Sequence, residues 1–312
     1  MAVGVVVNPV AGGGRMGRRW PKIEPVLAAR LGPLTVIKTD APGETCDLAR
    51  QLAMDGADLV IAAGGDGTIS DAVSGLMQAR ADSGQMAELA IVPVGNGSDF
   101  ARGLRLVADA ERLADRIAKG EKRAIDAGRV SYVTDEGALH SRCFINIASL
   151  GVSGPVDRAI NTARGGGRIS GGALFLFHTM RELIRYRFQE VRVTVDDAEP
   201  IEARIALVAI ANAPYFGGGM KIAPDARPDD QKLDIVIVRG RSKLSLIRDL
   251  RLVYSGAHRE SDSCVFASGR KVVVEPVGDL LANAALLDID GESPGRIPAT
   301  FEVIPGAITL RG

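Results

Sequence analysis

The sequence contains little cysteine. Three cysteines occur in 312 residues, at positions 46, 143 and 264. An odd number of widely separated cysteines fits neither a disulfide framework nor a zinc site, whose ligands lie at short spacing. We therefore expect a protein of a reducing, cytoplasmic environment.

An excess of one sign of charge is also missing, because Lys plus Arg and Asp plus Glu number 38 each. This balance argues against nucleic acid as a partner. Long apolar runs are absent as well. Residues 1–7 are too short for a signal-peptide core, and residues 172–180 fall far below the ~20 residues that span a bilayer. Any membrane contact is expected to be peripheral, at the inner face.

The length predicts two domains, since a single hydrophobic core rarely grows this large. In residues 1–122, short β-branched runs alternate with amphipathic stretches, which predicts a doubly wound α/β domain with a mostly parallel sheet. Residues 123–298 are mostly strand-like and predict a mainly antiparallel β-sandwich that binds the acceptor substrate. Residues 299–312 can complete the first domain.

The helices and strands of the first domain are predicted from the spacing of apolar residues and from the Gly and Pro residues that end each element. Its predicted strands are Val3–Val7, Leu34–Lys38, Asp58–Ala62 and Leu89–Val92. Its predicted helices are Arg18–Leu31, Gly43–Asp55 and Thr68–Ala81. In the second domain the predicted helices are Pro155–Arg164, Gly172–Tyr186 and Lys243–Tyr254.

The glycines that follow the first strand allow two interpretations. Residues 12–17 satisfy the glycine spacing of a dinucleotide-binding loop, and Asp40 stands about where a ribose-binding carboxylate is expected. A dinucleotide-dependent oxidoreductase is therefore one alternative. A P-loop is not, because Arg18 and Arg19 replace the Lys and Ser/Thr that contact phosphate and Mg²⁺.

The segment Gly64–Thr68 gives the strongest chemical signal. Its glycines let the backbone approach an anion, and the helix that follows adds its positive N-terminal end. Asp66 would repel bare phosphate, which indicates a divalent cation such as Mg²⁺ between carboxylate and phosphate. We expect this loop to hold a nucleoside triphosphate.

Three further acidic turns are less informative alone. Pro93–Arg102 is a glycine-rich turn that places Asp99 at a helix start. A capping role alone would explain an acidic residue at that position. Asp288–Glu292 offers carboxylates for a general base, and Asp229-Asp230 offers oxygen ligands for Mg²⁺. Taken with Gly64–Thr68, they predict phosphoryl transfer to a hydroxyl group.

Five segments, in this order, resemble the diacylglycerol kinase catalytic-domain family, in particular its soluble bacterial lipid kinases, which are related to sphingosine kinases. The resemblance covers nearly the whole chain. The glycine-aspartate-glycine loop alone is shared with NAD kinases and phosphofructokinases, so the order of all five carries the specificity. The segments are Asn8-Pro9 with its glycines, Gly64–Thr68, Pro93–Arg102, Tyr215–Ala226 and Asp288–Glu292.

The resemblance implies a kinase that uses ATP and Mg²⁺ to phosphorylate a hydroxyl of a diacylglycerol-like lipid, in a cleft between the two domains. It further implies that Asp66 and Asp99 belong to a network of water and Mg²⁺. The nucleotide-binding positions that it implies are Asn8, Pro9, Gly12, Thr39 or its neighbour Asp40, Gly64, Gly65, Asp66, Gly67, Thr68, Asn96 and Asp99.

For the acceptor, the resemblance points to Asp290 and Glu292, with Glu292 at the position usually assigned as proton acceptor. The sequence does not choose between the two carboxylates. A structural Mg²⁺ turn maps to Asp230, with backbone oxygens of Arg227 and Lys232 as further ligands.

Three residues depart from the family pattern. Asn96 stands where the family has Thr, and Ser98 where it has Asn, so nucleotide contacts are expected to change. Gln231 replaces a glycine after the metal-binding Asp230, and its side chain is expected to distort that turn. A non-catalytic nucleotide- or lipid-binding homologue is therefore the second alternative.

A lipid acceptor would require contact with a membrane surface. Residues 173–177 are apolar and are followed by Arg181, Arg185 and Arg187, a pattern that suits interfacial contact and equally suits a core helix. The sequence therefore assigns no lipid site, and a homodimer is among the assemblies that it allows.

Overall fold

A computed structural model describes residues 1–41, 43–95, 98–106, 109–165 and 180–312. The chain forms two compact units. The first consists of Met1–Asp126 together with Pro305–Gly312, and the second of Ala127–Ile304. The predicted apolar segment 173–177 and the residue Asn96 lie outside the described residues.

The first unit is built on a parallel sheet. Its strands lie in the order β4-β3-β1-β2, and the last residues of the chain add a parallel pairing of Leu310 with Leu89. Every residue of β1 and β3 is buried, as expected for central strands covered on both faces. The strands are β1 (Val3–Val7), β2 (Leu34–Lys38), β3 (Leu59–Gly64) and β4 (Glu88–Pro93).

Five helices of this unit are described. In α1, Met16, Trp20, Ile23 and Leu27 recur every three or four residues and pack into the core of the unit. The helices are α1 (Ala11–Leu31), α2 (Glu44–Met54), α3 (Asp66–Ser83), α4 (Asp99–Gly103) and α5 (Ala110–Lys119). The helix start predicted at Asp99 is the start of α4, whereas α5 was not predicted.

The second unit is dominated by antiparallel strands. Its longest path runs β11-β10-β9-β8-β12-β14, while β7 pairs with β9 and β13, and β5 pairs with β6. The strands are β5 (Lys122–Thr134), β6 (Leu139–Phe144), β7 (Ile147–Gly151), β8 (Gln189–Val195), β9 (Ile201–Ala211), β10 (Leu233–Arg239), β11 (Cys264–Gly269), β12 (Lys271–Pro276), β13 (Leu287–Ile289) and β14 (Gly295–Arg311).

Helices accompany these strands at three places. They are α6 (Ser153–Gly165), a helical turn at residues 180–185, and α7 (Lys243–Ser255), which is followed by a 3₁₀ turn at Ala257–Glu260. Most of the helix predicted over Gly172–Tyr186 lies outside the described residues. Among the described residues, none of the helices is both long and apolar enough to cross a bilayer.

The fold class predicted from the sequence is confirmed, with a parallel α/β unit and a mainly antiparallel second unit. One local difference concerns α1, which begins at Ala11 rather than Arg18. Its first turn is not regular, because Gly12, Gly13 and Gly14 all have positive φ values, between 62° and 77°. Three consecutive left-handed residues are readily available only to glycine.

Candidate active site

One edge of the parallel sheet gathers the predicted nucleotide-binding segments. Strands β1 to β4 are in parallel register and end level with one another. Backbone hydrogen bonds extend the register, since Thr39 N donates to Val7 O over 2.9 Å and Asn8 N donates to Ala63 O over 2.9 Å. The carboxyl ends of parallel strands are where open α/β sheets bind ligands.

The glycine loop after β3 has the shape of a phosphate cradle. A Cβ atom added to Gly64 would overlap the Thr68 side chain, whereas one added to Gly65 or Gly67 would meet nothing within 4 Å. Helix α3 begins at Asp66 without a side-chain cap. The first N–H groups of an uncapped helix favour an anion.

Asn8 provides a second sign of a ligand. Its side-chain amide Nδ2 donates to Thr68 Oγ1 over 3.1 Å. Its carbonyl Oδ1 is buried and has no partner among the described residues. Buried polar atoms are nearly always hydrogen-bonded, so this oxygen fits a donor on a bound molecule, such as a hydroxyl or amino group of a nucleotide.

Asp66 joins the glycine loop to the loop after β4. Its Oδ1 accepts from Ser98 Oγ at 2.6 Å and from Phe100 N at 3.1 Å, and its Oδ2 accepts from Asp99 N at 2.9 Å. Asp66 therefore caps α4 as well as starting α3. Asp99 is buried and forms an ion pair with Arg102 at 3.2 Å.

Ser98 has a clear role in this structure. Besides donating to Asp66, its hydroxyl accepts from Ala101 N at 3.3 Å as the N-cap of α4. The sequence singled out Ser98 only for its departure from the family pattern and missed this bridge, which joins positions far apart in the chain.

In the second unit, Asp290 is a backbone anchor. Its Oδ2 accepts from Ile145 N at 2.9 Å, and its Oδ1 accepts from Asn146 N at 3.1 Å and from Ile147 N at 3.0 Å. Asp290 itself has a left-handed φ of 50°. Three consecutive N–H donors therefore orient this carboxylate.

Glu292 has a different environment. Its side chain is 60% exposed, and its Oε2 accepts from Arg142 Nη1 at 2.7 Å. Burial opposes the charge of Arg142, but the hydrogen bond with Glu292 and its charge outweigh burial and raise the pKa of Arg142. The sequence missed Arg142, which lies on β6 and carries no motif of its own.

Asp288 turns to other partners. It is buried, and its Oδ2 accepts from Ser149 Oγ at 2.9 Å while its Oδ1 accepts from Gly291 N at 2.9 Å. Burial raises the pKa of Asp288, although a hydrogen bond with the Asp157 side chain works against that rise. Asp288 thus links the acidic turn to β7 and α6.

Asn146 is a further residue that the sequence analysis missed. Its Nδ2 donates to Tyr215 O over 3.0 Å, while its buried Oδ1 has no partner among the described residues. Its backbone N–H contacts Asp290. A free buried acceptor beside the acidic turn suits a hydroxyl-bearing substrate.

The predicted metal turn keeps a tight conformation. Asp230 Oδ1 accepts from Lys232 N at 3.1 Å, and Gln231 adopts a left-handed φ of 64°. Gln231 thus takes up the backbone conformation that glycine favours, and the distortion expected from its side chain stays a prediction. Burial, and then the nearby charge of Asp230, raise the pKa of Asp234 to about 6.

No group of three or more His, Cys, Asp or Glu side chains that could hold a metal ion occurs in the part of the chain that the structure describes. The predicted set at this turn would not form such a group. It combines one carboxylate, that of Asp230, with backbone oxygens of Arg227 and Lys232. The metal assignment therefore stays a prediction.

A glycine cradle at a helix N-terminus and an acidic turn in a second, β-rich unit are features of a phosphotransferase. Two family comparisons agree with this class. Residues 2–130 match the diacylglycerol kinase catalytic domain, and residues 146–312 match the YegS C-terminal NAD kinase beta sandwich-like domain. The chain belongs to the diacylglycerol kinase catalytic-domain family.

Individual relatives support this placement. The chain is 29% identical over 256 residues to a diacylglycerol kinase of Mycobacterium tuberculosis, covering 82% of this chain and 77% of the relative. It is 28% identical over 268 residues to a diacylglycerol kinase of Bacillus subtilis strain 168, covering 84% and 80%.

A solved structure shows the same fold. The crystal structure of a diacylglycerol kinase from Bacillus anthracis str. Sterne superposes with a TM-score of 0.71 at 22% identity, over 99% of this chain and 96% of that chain. The family match and the curated relatives make the chain an enzyme of a lipid kinase family, which argues against the oxidoreductase alternative.

Proposed function

We propose that this enzyme transfers the γ-phosphoryl group of ATP to a hydroxyl of a diacylglycerol-like lipid. The observation that carries the proposal is the cradle at Gly64–Thr68, where open space at Gly65 and Gly67 meets the uncapped start of α3. The acceptor class is supported by the names of the relatives, which are diacylglycerol kinases.

ATP would bind along the sheet edge of the first unit. The N–H groups of the first turn of α3 would contact phosphate oxygens. The unpaired Oδ1 of Asn8 would accept from a hydroxyl or amino group of the nucleoside. Pro9, Gly12, Thr39 and Asn96 complete the proposed nucleotide set.

Mg²⁺ fits this site because a carboxylate stands next to the cradle. Asp66 begins α3, and its partner Asp99 is buried nearby with its backbone N–H on the Asp66 carboxylate. These two residues would hold Mg²⁺ through water. The bound ion would neutralise charge on the phosphates. We also propose a structural Mg²⁺ at Asp230, with backbone oxygens of Arg227 and Lys232.

The acceptor hydroxyl would be activated by Glu292. Three backbone donors already engage Asp290, whereas Glu292 is exposed and paired with Arg142. We therefore propose Glu292 as the proton acceptor and Asp290 as a positioning residue. The hydroxyl oxygen forms a bond to the γ-phosphorus, the bond to the β–γ bridging oxygen breaks, and the hydroxyl proton passes to Glu292.

The localisation that follows is cytoplasmic, with peripheral contact at the inner face of the membrane. A lipid acceptor resides there, and ATP is supplied from the cytoplasm. A homodimer stays a prediction.

The decisive experiment supplies labelled ATP and Mg²⁺ with a panel of acceptors. The panel comprises short-chain diacylglycerol, phosphatidylglycerol, a sphingoid base and glycerol, and products are separated by chromatography. We expect label in phosphatidic acid and its loss in the Glu292→Gln variant. ATP binding without transfer to any acceptor would instead support a non-catalytic homologue.

A further inference from the structure

Arg142 lies behind the acidic turn of the second unit. It stands on β6, where it is opposite Val130 of β5 in the antiparallel register. Its side chain is 23% exposed, whereas the side chain of its partner Glu292 is 60% exposed. A largely buried cation therefore holds an exposed carboxylate from its inner side.

The backbone of the acidic turn is fixed by its own hydrogen bonds. Ile289 N donates to Glu292 O over 2.7 Å, and Glu292 N donates to Ile289 O over 3.1 Å. Asp288 Oδ1 accepts from Gly291 N at 2.9 Å, and the Asp290 carboxylate accepts from three backbone N–H groups. These contacts fix where the Glu292 side chain begins, but they leave its torsions free.

Arg142 supplies the constraint on that side chain. Its Nη1 donates to Glu292 Oε2 over 2.7 Å, and no other hydrogen bond to the Glu292 side chain occurs among the described residues. A hydrogen bond between two charged groups is roughly twice as strong as one between neutral groups. The contact occupies one carboxylate oxygen and leaves Oε1 to accept from a substrate hydroxyl.

The separation of the two partners is set by packing of the backbone. Gly295 follows the acidic turn and packs so closely on β5 that an added Cβ would overlap Val133 O and the Tyr132 ring. Strand β5 in turn pairs with β6, which carries Arg142. The turn and the hairpin are therefore held against each other, so the guanidinium and the Glu292 carboxylate stay within reach.

We propose that Arg142 is a positioning residue, which orients the Glu292 carboxylate so that Oε1 accepts the proton of the acceptor hydroxyl. This role rests on the proposed function, in which Glu292 is the proton acceptor. The hydroxyl oxygen bonds to the γ-phosphorus, the β–γ bridging oxygen leaves with ADP, and the hydroxyl proton passes to Oε1. Arg142 keeps its own protons throughout.

Removal of Arg142 has two opposing effects on transfer. A carboxylate without a neighbouring cation is a stronger base, and an increase of about one unit in basicity raises the rate by at most about tenfold. Loss of orientation costs more, up to about 10²-fold for a displacement of about 1 Å. Arg142→Gln should therefore lower kcat by roughly tenfold. KM should stay nearly the same, because the contact does not bind the acceptor itself.

A double-mutant cycle distinguishes this role from a merely structural one. The wild type, Arg142→Gln, Glu292→Gln and the double variant are assayed with labelled ATP, Mg²⁺ and dihexanoylglycerol. Because Arg142 acts through Glu292, its loss of kcat should vanish in the Glu292→Gln background. Arg142→Lys should recover part of the loss, since one nitrogen makes the contact and lysine keeps a charged donor.

Arg129→Gln is the matched control. Arg129 lies on β5 of the same hairpin, is 52% exposed and pairs with Glu302 over 3.3 Å. Its removal should leave kcat unchanged. Urea unfolding is measured for every variant. If Arg142→Gln does not fold, Arg142→Lys carries the cycle, and its smaller loss should likewise vanish beside Glu292→Gln.

Three results would overturn the role of Arg142 and leave the proposed function intact. They are a wild-type kcat in Arg142→Gln, the same loss of kcat in both Glu292 backgrounds, and a change confined to KM. A wild type that phosphorylates no acceptor would overturn the proposed function and this role together. Full activity in Glu292→Gln would overturn the assignment of the base, and the role of Arg142 with it.

Discussion

The Asp66 carboxylate accepts a hydrogen bond from the Ser98 hydroxyl over 2.6 Å, across 32 positions of the chain. Two backbone N–H groups of α4 donate to the same carboxylate. The glycine loop after β3 and the loop after β4 therefore form one hydrogen-bonded structure. A change at Asp66 acts on both loops, whatever it does to a bound nucleotide.

Replacing Asp66 by Asn should destabilise the protein. Asn has one acceptor oxygen for three donors, and its amide would face an N–H group. We expect a loss of about 1–3 kcal/mol in the free energy of unfolding, as for other buried donors left unpaired, together with loss of phosphoryl transfer. Urea unfolding and the labelled-ATP assay measure the two effects.

Ser98→Ala is the matched control for this variant. It removes one donor to the carboxylate, which keeps the other two, and it also removes the N-cap oxygen that accepts from Ala101 N. We expect a loss of about 1 kcal/mol, at the low end of the range for Asp66→Asn. An Asp66→Asn protein as stable as the wild type would show that this network contributes nothing to the fold.

Two alanine substitutions in the Gly64–Thr68 loop distinguish an effect on stability from an effect on nucleotide binding. Gly67→Ala adds a methyl group where nothing lies within 4 Å, so stability should be kept while nucleotide affinity falls. Gly64→Ala forces the new methyl group onto Thr68 and should lower both. Calorimetric titration with ATP and thermal unfolding provide the measurements. Unchanged affinity in Gly67→Ala would place the phosphates elsewhere.

Much of the fold was predictable because its strands are short apolar runs bounded by clear stops. Val3–Val7 and Leu34–Lys38 were predicted with the bounds that the structure has. Strand β14 was missed because it contains Pro298 and Pro305, and proline normally argues against a strand interior. Helix α5 was missed because its charged residues hide a narrow apolar face, of which Leu113 and Ile117 are the buried part.

The sequence predicted those parts of the candidate site that depend on neighbouring residues, and it missed the contacts between residues far apart in the chain. Glycines at Gly64–Thr68 indicate a cradle because backbone freedom is a local property. The pairing of Glu292 with Arg142 joins positions 150 residues apart, and nothing in either segment predicts it. The side-chain oxygens of Asn8 and Asn146 are informative because they are buried and have no hydrogen-bond partner among the described residues. A single sequence does not reveal which side chains are buried.

Gln and Asn substitutions should distinguish the two carboxylates of the acidic turn. Glu292→Gln removes the proposed proton acceptor, so transfer should fall by about 10²–10⁴-fold. Stability should fall by about 1 kcal/mol or less, because Gln keeps an acceptor oxygen for Arg142 but loses the charge. The assay uses short-chain diacylglycerol, with urea unfolding alongside. Full activity in Glu292→Gln would exclude Glu292 as the base.

Asp290→Asn should act mainly on the fold. Asn tolerates the left-handed φ of 50° at this position, so the backbone is not the cause. One acceptor oxygen must now serve three N–H groups, and about 1–3 kcal/mol of stability should be lost. A stable but inactive Asp290→Asn protein would reverse the two assigned roles.

Asp234 should make stability depend on pH. Its pKa is raised to about 6 by burial and by Asp230, above the ordinary value of about 4 for an unfolded chain. Below about pH 4 the carboxyl is protonated in both states, and as pH rises through about 6 the folded state becomes relatively less stable. The Asp234→Asn variant lacks this loss.

We therefore expect Asp234→Asn to match the wild type near pH 4 and to exceed it by roughly 2–3 kcal/mol above pH 7. Urea unfolding across this range gives the difference. A constant difference at all pH values would contradict the assignment. Asp58→Asn, at an exposed carboxylate of the first unit, is the control.

Gln231 occupies a backbone conformation that favours glycine, with a φ of 64°. A residue with a side chain loses about 1–2 kcal/mol of stability in the left-handed region, and glycine avoids that loss. Glycine has a separate cost, because its more flexible unfolded state lowers stability by about 0.4–1 kcal/mol. Gln231→Gly should therefore stabilise the protein by roughly 0.5–1 kcal/mol in urea unfolding.

Gln231→Ala separates this backbone effect from the side chain. Alanine keeps the strained φ but loses the contact in which Arg270 Nη2 donates to Gln231 Oε1 at 3.3 Å. Because the contact is exposed, its loss should cost little, so Gln231→Gly should be more stable than Gln231→Ala. Equal stabilities would mean that the turn stores no strain at this residue.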